Sequence, residues 1–463
     1  MERYSLHAVA FAAALASASP SCKKVETPED VQPKPEHVVF LHFNDLHGTE
    51  LEQAQGIACV IERVRRECER NGCYVIVTNG GDVFGNTSVS ERFKGEAEVA
   101  FVNALGVNAS VPGNHDFDYG PKVFKERMKQ GKRWVAANLY EGDAGEKPLP
   151  SWKIVEAGSV KVGILGITFP QKGYQIGDFR VDDPLATAKE LMPTLEKESN
   201  VQIALAHLEN PEEIKMAEQI PGLDAVLGGH DHVSSSDYCD ETSTATPVCE
   251  TPPDGKYMVR LDMMVDGKEV TNMGQDLIST DECRDTNSAV MKVLKPYMAA
   301  VEEMNQVVGF SKEYLSNGRD GKDGQNGANN FVAKVMLEST GAQFAMINAT
   351  GVRSSIPKGP ITREHVVRLV FDNEIVVVEL TGAEIKDAMQ AALSRGRYFA
   401  LAGAGLTYQT PLQTPLDPEK AYRVATIDFL IDGKGPLHKA KIVAKGKPLR
   451  KAITDYFRSQ SSR

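Results

Sequence analysis

Five short stretches of the chain each place ligand-type side chains directly behind an apolar run. "HVVFL" leads into "FNDLHG" with Asp45 and His47, and "YVIVTNGGD" ends at Asp82. "ASVPGNHDFD" carries Asn114, His115, Asp116 and Asp118; "VQIALAHLEN" reaches His207, and "LDAVLGGHDH" ends on His230 and His232. Asp45, His47, Asp82, Asn114, His207, His230 and His232 together offer two carboxylates, an amide oxygen and four imidazoles. A mixed nitrogen and oxygen set of this kind suits Zn, Mn, Co or Fe and does not suit soft thiolate chemistry. Seven donors exceed the need of one ion, and a carboxylate can bridge. The expectation is therefore two divalent metal ions with Asp82 between them, a pair that clamps the attacking and leaving oxygens of a phosphoryl displacement.

A single histidine at a strand end is ordinarily a hydrogen-bonded surface residue. Here D-x-H, G-G-D, G-N-H-D and G-H-x-H each follow their own apolar run in one chain with ten histidines, which chance does not supply. His7, His37, His42, His365 and His438 follow no such pattern and read as ordinary solvated or packed residues.

The apolar runs read as strands that deliver polar groups at their carboxyl ends. Between them lie helical patterns such as "GEAEVAFVNALG" and "DPLATAKELMPTLEKE", giving an alternating β-α organisation. In open α/β sheets the crevice beyond the strand carboxyl ends is where ligands bind.

At 463 residues the chain is too long for one core of typical size, and two domains are expected. A net charge of −11 leaves no basic surplus for a nucleic-acid polymer, so the expected partner is a small molecule. Residues 1–21, with "LHAVAFAAALASA", read as an export signal too short to span a bilayer, and 22–37 as a flexible tether. Cys22 stands where a lipoprotein cysteine would, although "SPSC" lacks the usual apolar residue. The protein is expected in the periplasm or cell envelope, with contact to membrane only through a lipid anchor at Cys22, or free there without one. Six further cysteines suit disulfides in an oxidising compartment. Cys239 and Cys249, bracketing "DETSTATPV", are the favoured pair, while Cys59 also fits a free buried thiol. No spacing resembles a zinc ribbon.

A metal domain is expected over 38–285, an interdomain helix over 286–305 in "NSAVMKVLKPYMAAVEEMNQVV", and a second mixed α+β domain over 306–463, opened by the Gly/Asn-rich "SNGRDGKDGQNGANN". The sequence leaves oligomeric state open.

"DLH", "GGD", "GNHDFD", "AH" and "GGHDH" resemble the calcineurin-like metallophosphoesterases, specifically the exported 5'-nucleotidase and UDP-sugar hydrolase group, over about residues 38–460. The resemblance implies an α/β fold: a four-layer metallophosphoesterase β-sandwich flanked by helices, followed by a substrate-binding 5'-nucleotidase C-terminal domain. It implies one metal held by Asp45, His47, Asp82 and His232 and the other by Asp82, Asn114, His207 and His230. It makes His115, oriented by Asp118, a catalytic group for the transition state or the leaving oxygen, with Asp116 in an orienting place.

For substrate the resemblance implies Asn348 and Arg353 in "INATGVRSSI", Phe371 and Asn373 in "LVFDNEIVVVELTG", and Phe429 in "TIDFLIDGKG" as the ring opposing Phe371 across a base. Base stacking of that kind is worth ~1–3 kcal/mol. The rival reading of Phe371 and Phe429 is plain core. The chain departs from the family at "DGKG", with Lys434, at "VFDN", and at "ATG". Arg319 and Lys334 are the candidates for a further phosphate-binding cation.

The implied activity is hydrolysis of nucleoside 5'-phosphates and UDP-sugars by metal-hydroxide attack on phosphorus, with opening and closing of the two domains during turnover. Cleavage of 2',3'-cyclic nucleotides or of another phosphoester or sulfur ester is the alternative. A non-catalytic surface binding protein is the remaining one.

Overall fold

Parallel pairing brings the first two candidate ligand loops together. Strand Glu36–Phe43 runs alongside strand Cys73–Asn79 in a continuous register from His37↔Cys73 to Phe43↔Asn79, so the loops that follow leave the sheet side by side. The computed structural model that shows this describes residues 34–461, apart from 86, 132, 143–144, 170–176, 178, 241, 284–288, 318–326, 395–397, 403–415, 433–436 and 439. The export signal, Cys22, residues 22–33 of the expected tether, Arg319 and Lys434 lie outside the described residues, and the tether ends earlier than expected, since Glu36 and His37 already pair in the first strand.

Glu36–Phe43 is central in a five-stranded sheet, ordered 269–279, 257–266, 36–43, 73–79, 109–110. A six-stranded sheet is ordered 239–240, 248–249, 225–227, 201–206, 160–167, 152–157. Successive side chains of a strand point to opposite faces. Val38 and Phe40 accordingly enter a core shared with Ile164, Ile203 and Leu227 of the other sheet. Val39, Leu41 and Phe43 enter a second core with Ile57, Val60 and Phe101 of the helices Glu50–Asn71 and Glu96–Leu105. On the far side, Ala204 and Ala206 pack with Ala188, Met192 and Leu195 of helix Pro184–Glu198. The order helix, sheet, sheet, helix makes four layers. Strands covered on both faces must be apolar on both, which explains the near-continuous runs in the sequence.

All six cysteines that follow Cys22 are bonded, as Cys59–Cys283, Cys68–Cys73 and Cys239–Cys249. The free-thiol reading of Cys59 is thereby corrected: its helix packs where the segment Ser279–Cys283 returns, and the two sulfurs meet. Cys239 and Cys249 face each other across a two-residue antiparallel pair.

Helix Ala289–Met304 packs on the helices of the metal half, with the Tyr297 hydroxyl donating to Glu96. Beyond it, a separate core from Val308 to Phe457 is built around a sheet ordered 399–402, 344–348, 421–427, 374–381, 441–448. Ion pairs join the two parts, Arg368 to Glu52 at 2.5 Å and Arg450 to Glu91 at 2.6 Å, and Arg92 to Glu303 at 2.8 Å fastens the intervening helix. The Ser88 hydroxyl also donates to Glu364. No described helix is long and apolar enough to cross a membrane.

Candidate metal centre

Five strand ends converge. Asp45 and His47 follow Phe43, Asp82 follows Asn79, Asn114 and His115 follow Ser110, His207 follows Ala206, and His230 and His232 follow Leu227. The loop at Asp45 lies along the loop at Asp82, with Asp45 N donating to Gly81 O, His47 N to Asp82 O and Gly48 N to Val83 O, each at 3.0 Å. The two sheets meet at glycines. A Cβ on Gly80 would lie 2.2 Å from Gly228 O, and one on Gly229 would lie 2.6 Å from Gly80 O, so only bare backbone fits this joint. Gly81, at φ +96°, needs glycine both for its backbone and because a side chain would strike His207.

The donors themselves sit in costly backbone. Asp45, His47, Asp82, His230 and His232 all have positive φ, and they are five of the eight described non-glycine residues that do. Such strain persists where the surroundings over-determine it, and it clusters at functional sites.

The side-chain atoms fall into three groups whose ligand atoms lie within 4.8 Å of one another: Asp45, His47 and His232; Asp82, His207 and His230; and His47, Asp82 and His115. Asp82 belongs to two of them, a position compatible with bridging. Asn114 Oδ1 joins the second group, 3.2 Å from His207 Nε2 and 3.0 Å from His230 Nδ1.

These contacts fit cations and little else. Asp45 Oδ2 is satisfied by the Asn44 amide at 2.7 Å and His230 N at 2.9 Å, whereas Oδ1 is buried with no hydrogen-bond partner. It faces His232 Nε2 at 3.2 Å and His47 Nε2 at 3.4 Å, while those two nitrogens are 2.9 Å apart. His207 donates from Nδ1 to Gly80 O at 2.7 Å, which leaves Nε2 a lone pair in the neutral ring. That lone pair points at Asp82 Oδ2, 3.3 Å away, and at the Asn114 carbonyl. Lone pairs facing lone pairs repel unless a positive charge stands between them.

Protons compete with a cation for that place. Burial alone would push Asp45 up, yet His232, His47 and His207 hold its carboxyl well below the usual range. His207 goes the other way: burial opposes its charge, but Asp82 and Asp45 push it up to about 10. Burial and the neighbouring His207 press His230 down to about 3. Both carboxylates are thus held ionised by a protonated imidazole at their side, a role that divalent cations would take over.

Neighbouring groups lock the loops. Both Asp116 oxygens accept backbone N–H groups: Asp82 N at 3.0 Å and Gly113 N at 2.8 Å on one, Val83 N at 3.1 Å and Phe84 N at 3.0 Å on the other. Burial and the Asp82 charge push this carboxyl up, while the Phe84 and Gly113 N–H groups pull it down; with each oxygen already accepting two N–H groups and no acceptor placed for a proton, it stands as a carboxylate. Asn44 accepts Thr251 N at 2.6 Å while its amide holds Asp45. Phe169 stacks on His230 at 4.3 Å. Nothing in the sequence pattern singles out Asn44, Thr251 or Phe169, because each acts through a contact formed only after folding.

His115 Nδ1 lies 2.8 Å from Asp118 Oδ2, and Asp82 Oδ1 accepts the His115 backbone N–H at 2.7 Å. The imidazole stacks on Phe371 with 5.8 Å between centroids. The structure therefore brings an aromatic ring from beyond residue 306 onto the edge of the metal cluster.

Phe371 carries the Arg353 guanidinium over its ring at 5.6 Å. Asn348 ends strand Phe344–Asn348, Phe429 follows strand Ala421–Ile427, and Asn373 precedes strand Glu374–Thr381. The first two strands are parallel neighbours and the third is antiparallel to the second, with Ile375 opposite Ile427. All five positions consequently gather at one end of that sheet. Phe429 is 51% exposed and Phe371 lies outside the core, which rules out the plain-core reading of these rings. Lys334 is not brought there; it pairs with Glu338 over Tyr456. Of the remaining histidines, His42 uses both ring nitrogens on Thr78 and Gly228 O, His37 pairs with Asp262, and His365 caps its helix.

Fold and site define a metallophosphoesterase. Residues 38–234 match the calcineurin-like phosphoesterase model, a span that includes all seven donors, and residues 307–441 match the 5'-nucleotidase, C-terminal domain, model. The chain is 25% identical over 485 residues to the trifunctional nucleotide phosphoesterase protein YfkN of Bacillus subtilis, an alignment covering 88% of this chain and 33% of that protein. The chain thus spans about a third of the length of that relative. The crystal structure of a 5'-nucleotidase precursor from Thermus thermophilus superposes with a TM-score of 0.78 at 24% identity, covering 92% of this chain and 97% of that one. The sulfate thiohydrolase SoxB of the same genus reaches 0.79 at 17% identity, covering 93% and 95%. The chain is a metal-dependent phosphoester hydrolase. It belongs to the family that joins a calcineurin-like phosphoesterase domain to a 5'-nucleotidase C-terminal domain.

Proposed function

We propose that the chain hydrolyses nucleoside 5'-monophosphates, with UDP-sugars as a second substrate class, at a centre of two divalent cations. The observation that carries this reading is the placement of Phe371 against His115, with Arg353 over the Phe371 ring, so that a base-binding and an anion-binding group border the metal cluster.

Asp45, His47, Asp82 and His232 would hold one cation, and Asp82, Asn114, His207 and His230 the other. When bound, the cations supply Lewis-acid polarisation of phosphoryl oxygens and a lowered pKa for water. Asp118 accepts from His115 Nδ1 and fixes the ring, leaving Nε2 to stabilise or protonate the leaving oxygen. Arg353 meets the substrate's negative charge, and Phe371 and Phe429 flank the base. Asn348 Oδ1, buried without a partner, awaits a hydrogen-bond donor from the sugar or base. A short substrate suits this arrangement because its recognition elements sit beside the reacting phosphate. The export signal over 1–21, with or without acylation at Cys22, is part of the same reading, because three disulfides need an oxidising compartment.

The test is a hydrolysis panel of AMP, UMP, UDP-glucose, 2',3'-cyclic AMP and bis-p-nitrophenyl phosphate with added Mn, Co or Zn, beside Asp82→Ala. Release of phosphate from AMP and UMP that vanishes in Asp82→Ala is expected. Cleavage of the cyclic nucleotide or nitrophenyl diester alone would refute the monophosphate reading and leave the metal reading standing.

A further inference from the structure

Behind the metal cluster lie two carboxyl groups for which phosphoester hydrolysis has no direct use. Glu213 is 0% exposed and Glu250 is 1% exposed. One Glu213 oxygen accepts two backbone N–H groups, from Leu208 at 3.3 Å and Gly229 at 3.4 Å. These residues adjoin His207 and His230, the two imidazoles of the second metal group. The other Glu213 oxygen and both Glu250 oxygens meet no N–H or O–H donor among the described residues. They meet each other instead, since the two side chains are in hydrogen-bond contact.

Two carboxylates cannot bond without a proton between them, and two buried negative charges in contact would repel strongly. One group must be an acid. Burial, the Glu213 charge and further carboxylates at Asp45 and Asp231 all push Glu250 well above the usual carboxyl range. Glu213 accepts the Leu208 and Gly229 N–H groups, which favour its anion, while Glu250 meets no donor of that kind, so Glu250 is the donor and Glu213 the acceptor.

The surroundings show what the pair holds. The Glu213 carboxylate lies so close to Gly228 that a Cβ there would come within 1.9 Å of it. Cys249 O, one residue before Glu250, accepts Gly228 N at 2.8 Å. Thr251, one residue after, donates to Asn44, whose amide holds Asp45.

We propose that Glu213 and Glu250 act as a positioning pair for the second metal: Glu213 ties the His207 and His230 loops together, and a proton on Glu250 holds Glu213 in that place. This rests on the two-metal reading above. A purely structural pair behaves differently: its loss lowers stability and leaves the metal affinity of the folded chain unchanged.

The test uses the full chain stripped of metal and titrated with Co²⁺, whose d–d absorption reports each binding step, together with urea unfolding. Glu213→Leu/Glu250→Leu leaves the Leu208 and Gly229 N–H groups without their acceptor, so it should lose stability in urea, and while folded its weaker Co²⁺ site should lose roughly 10- to 100-fold in affinity. Glu250→Gln, which keeps a permanent donor, should retain both sites within threefold. Infrared difference spectra between wild type and Glu250→Gln at neutral pH should show a lost carboxylic-acid carbonyl band. Two unchanged Co²⁺ sites in the double leucine variant would overturn the positioning role. So would a more than threefold loss at the weaker site in Glu250→Gln, or the absence of that band, and these two remain decisive if the leucine variant does not fold. A wild type that binds fewer than two Co²⁺ would overturn the two-metal reading and this inference together, whereas two sites in wild type with unchanged variants would overturn this inference alone.

Discussion

Asp116→Asn offers the sharpest test of how the donor loops are held. The aspartate accepts four N–H groups, two on each oxygen, from Asp82, Gly113, Val83 and Phe84. Asparagine in either orientation keeps one pair and turns its NH2 toward the other, so two buried N–H groups lose a charged acceptor and meet a donor. Bonds to charged groups contribute roughly 1.5–3 kcal/mol each, which gives about 3–6 kcal/mol. Relief of the repulsion between Asp116 and Asp82 offsets part of this. We expect urea unfolding of the metal half to fall by about 3–5 kcal/mol, an estimate that inherits the same bond range. Since the freed groups belong to the Asp82 and Gly113 loops, Co²⁺ affinity should fall by roughly 10- to 100-fold, with activity partly recovered at high Co²⁺. A variant within 1 kcal/mol of wild type, on the scale of about 1 kcal/mol for an ordinary neutral bond, and with unchanged affinity would refute the claim that this carboxylate sets the loops.

Phe371→Ala should lower kcat/KM for AMP by roughly 5- to 150-fold, the equivalent of ~1–3 kcal/mol of stacking, and leave ribose 5-phosphate nearly unaffected; parallel losses on both would show that the ring only supports His115. Cys59→Ser/Cys283→Ser opens a constraint between residues 224 apart. Chain entropy puts this at about 5 kcal/mol, an upper figure that urea unfolding checks, against about 2 kcal/mol for the short Cys68–Cys73 loop. His42 is pressed by burial down to about 4. Below pH ~6.5 the unfolded chain binds a proton that the native state refuses until about pH 4, so stability should fall as pH drops through that window at up to about 1.4 kcal/mol per pH unit. In metal-free buffer His42→Gln should flatten this part of the curve, and an unaltered slope would assign it elsewhere.

The apolar runs made the layered architecture legible, because strands buried on both faces must be apolar at every position. The donors were legible for a related reason: a histidine or aspartate ending such a run has few uses other than a site. Cys239 and Cys249 could be paired from the polar loop between them, while Cys59 and Cys283, far apart in sequence, carried no local sign of one another. Glu213 and Glu250 were invisible for a further reason. Glu213 sits in "NPEEIK", which reads as an ordinary acidic helix start, and only the return of the segment after Cys249 turns it inward. In the second half, periodicity led no further than a mixed domain, and Phe371 and Phe429 entered through family resemblance. What the sequence could not convey is that Phe371 touches His115, since this depends on how two separately cored parts meet.

The joint where Gly80 meets Gly228 and Gly229 has a consequence for how such a molecule can change. Main chain rests on main chain there, with no side chain in between to lengthen or trim. The joint works as the fixed jaw of a calliper: it sets the gap between the donors of one sheet and those of the other, and point substitution has no means of adjusting it. On the proposed function, variation in what the molecule accepts falls to the movable jaw, the sheet end that carries Asn348, Arg353, Phe371, Asn373 and Phe429, where loops can lengthen and side chains can be exchanged without disturbing the spacing of the donors.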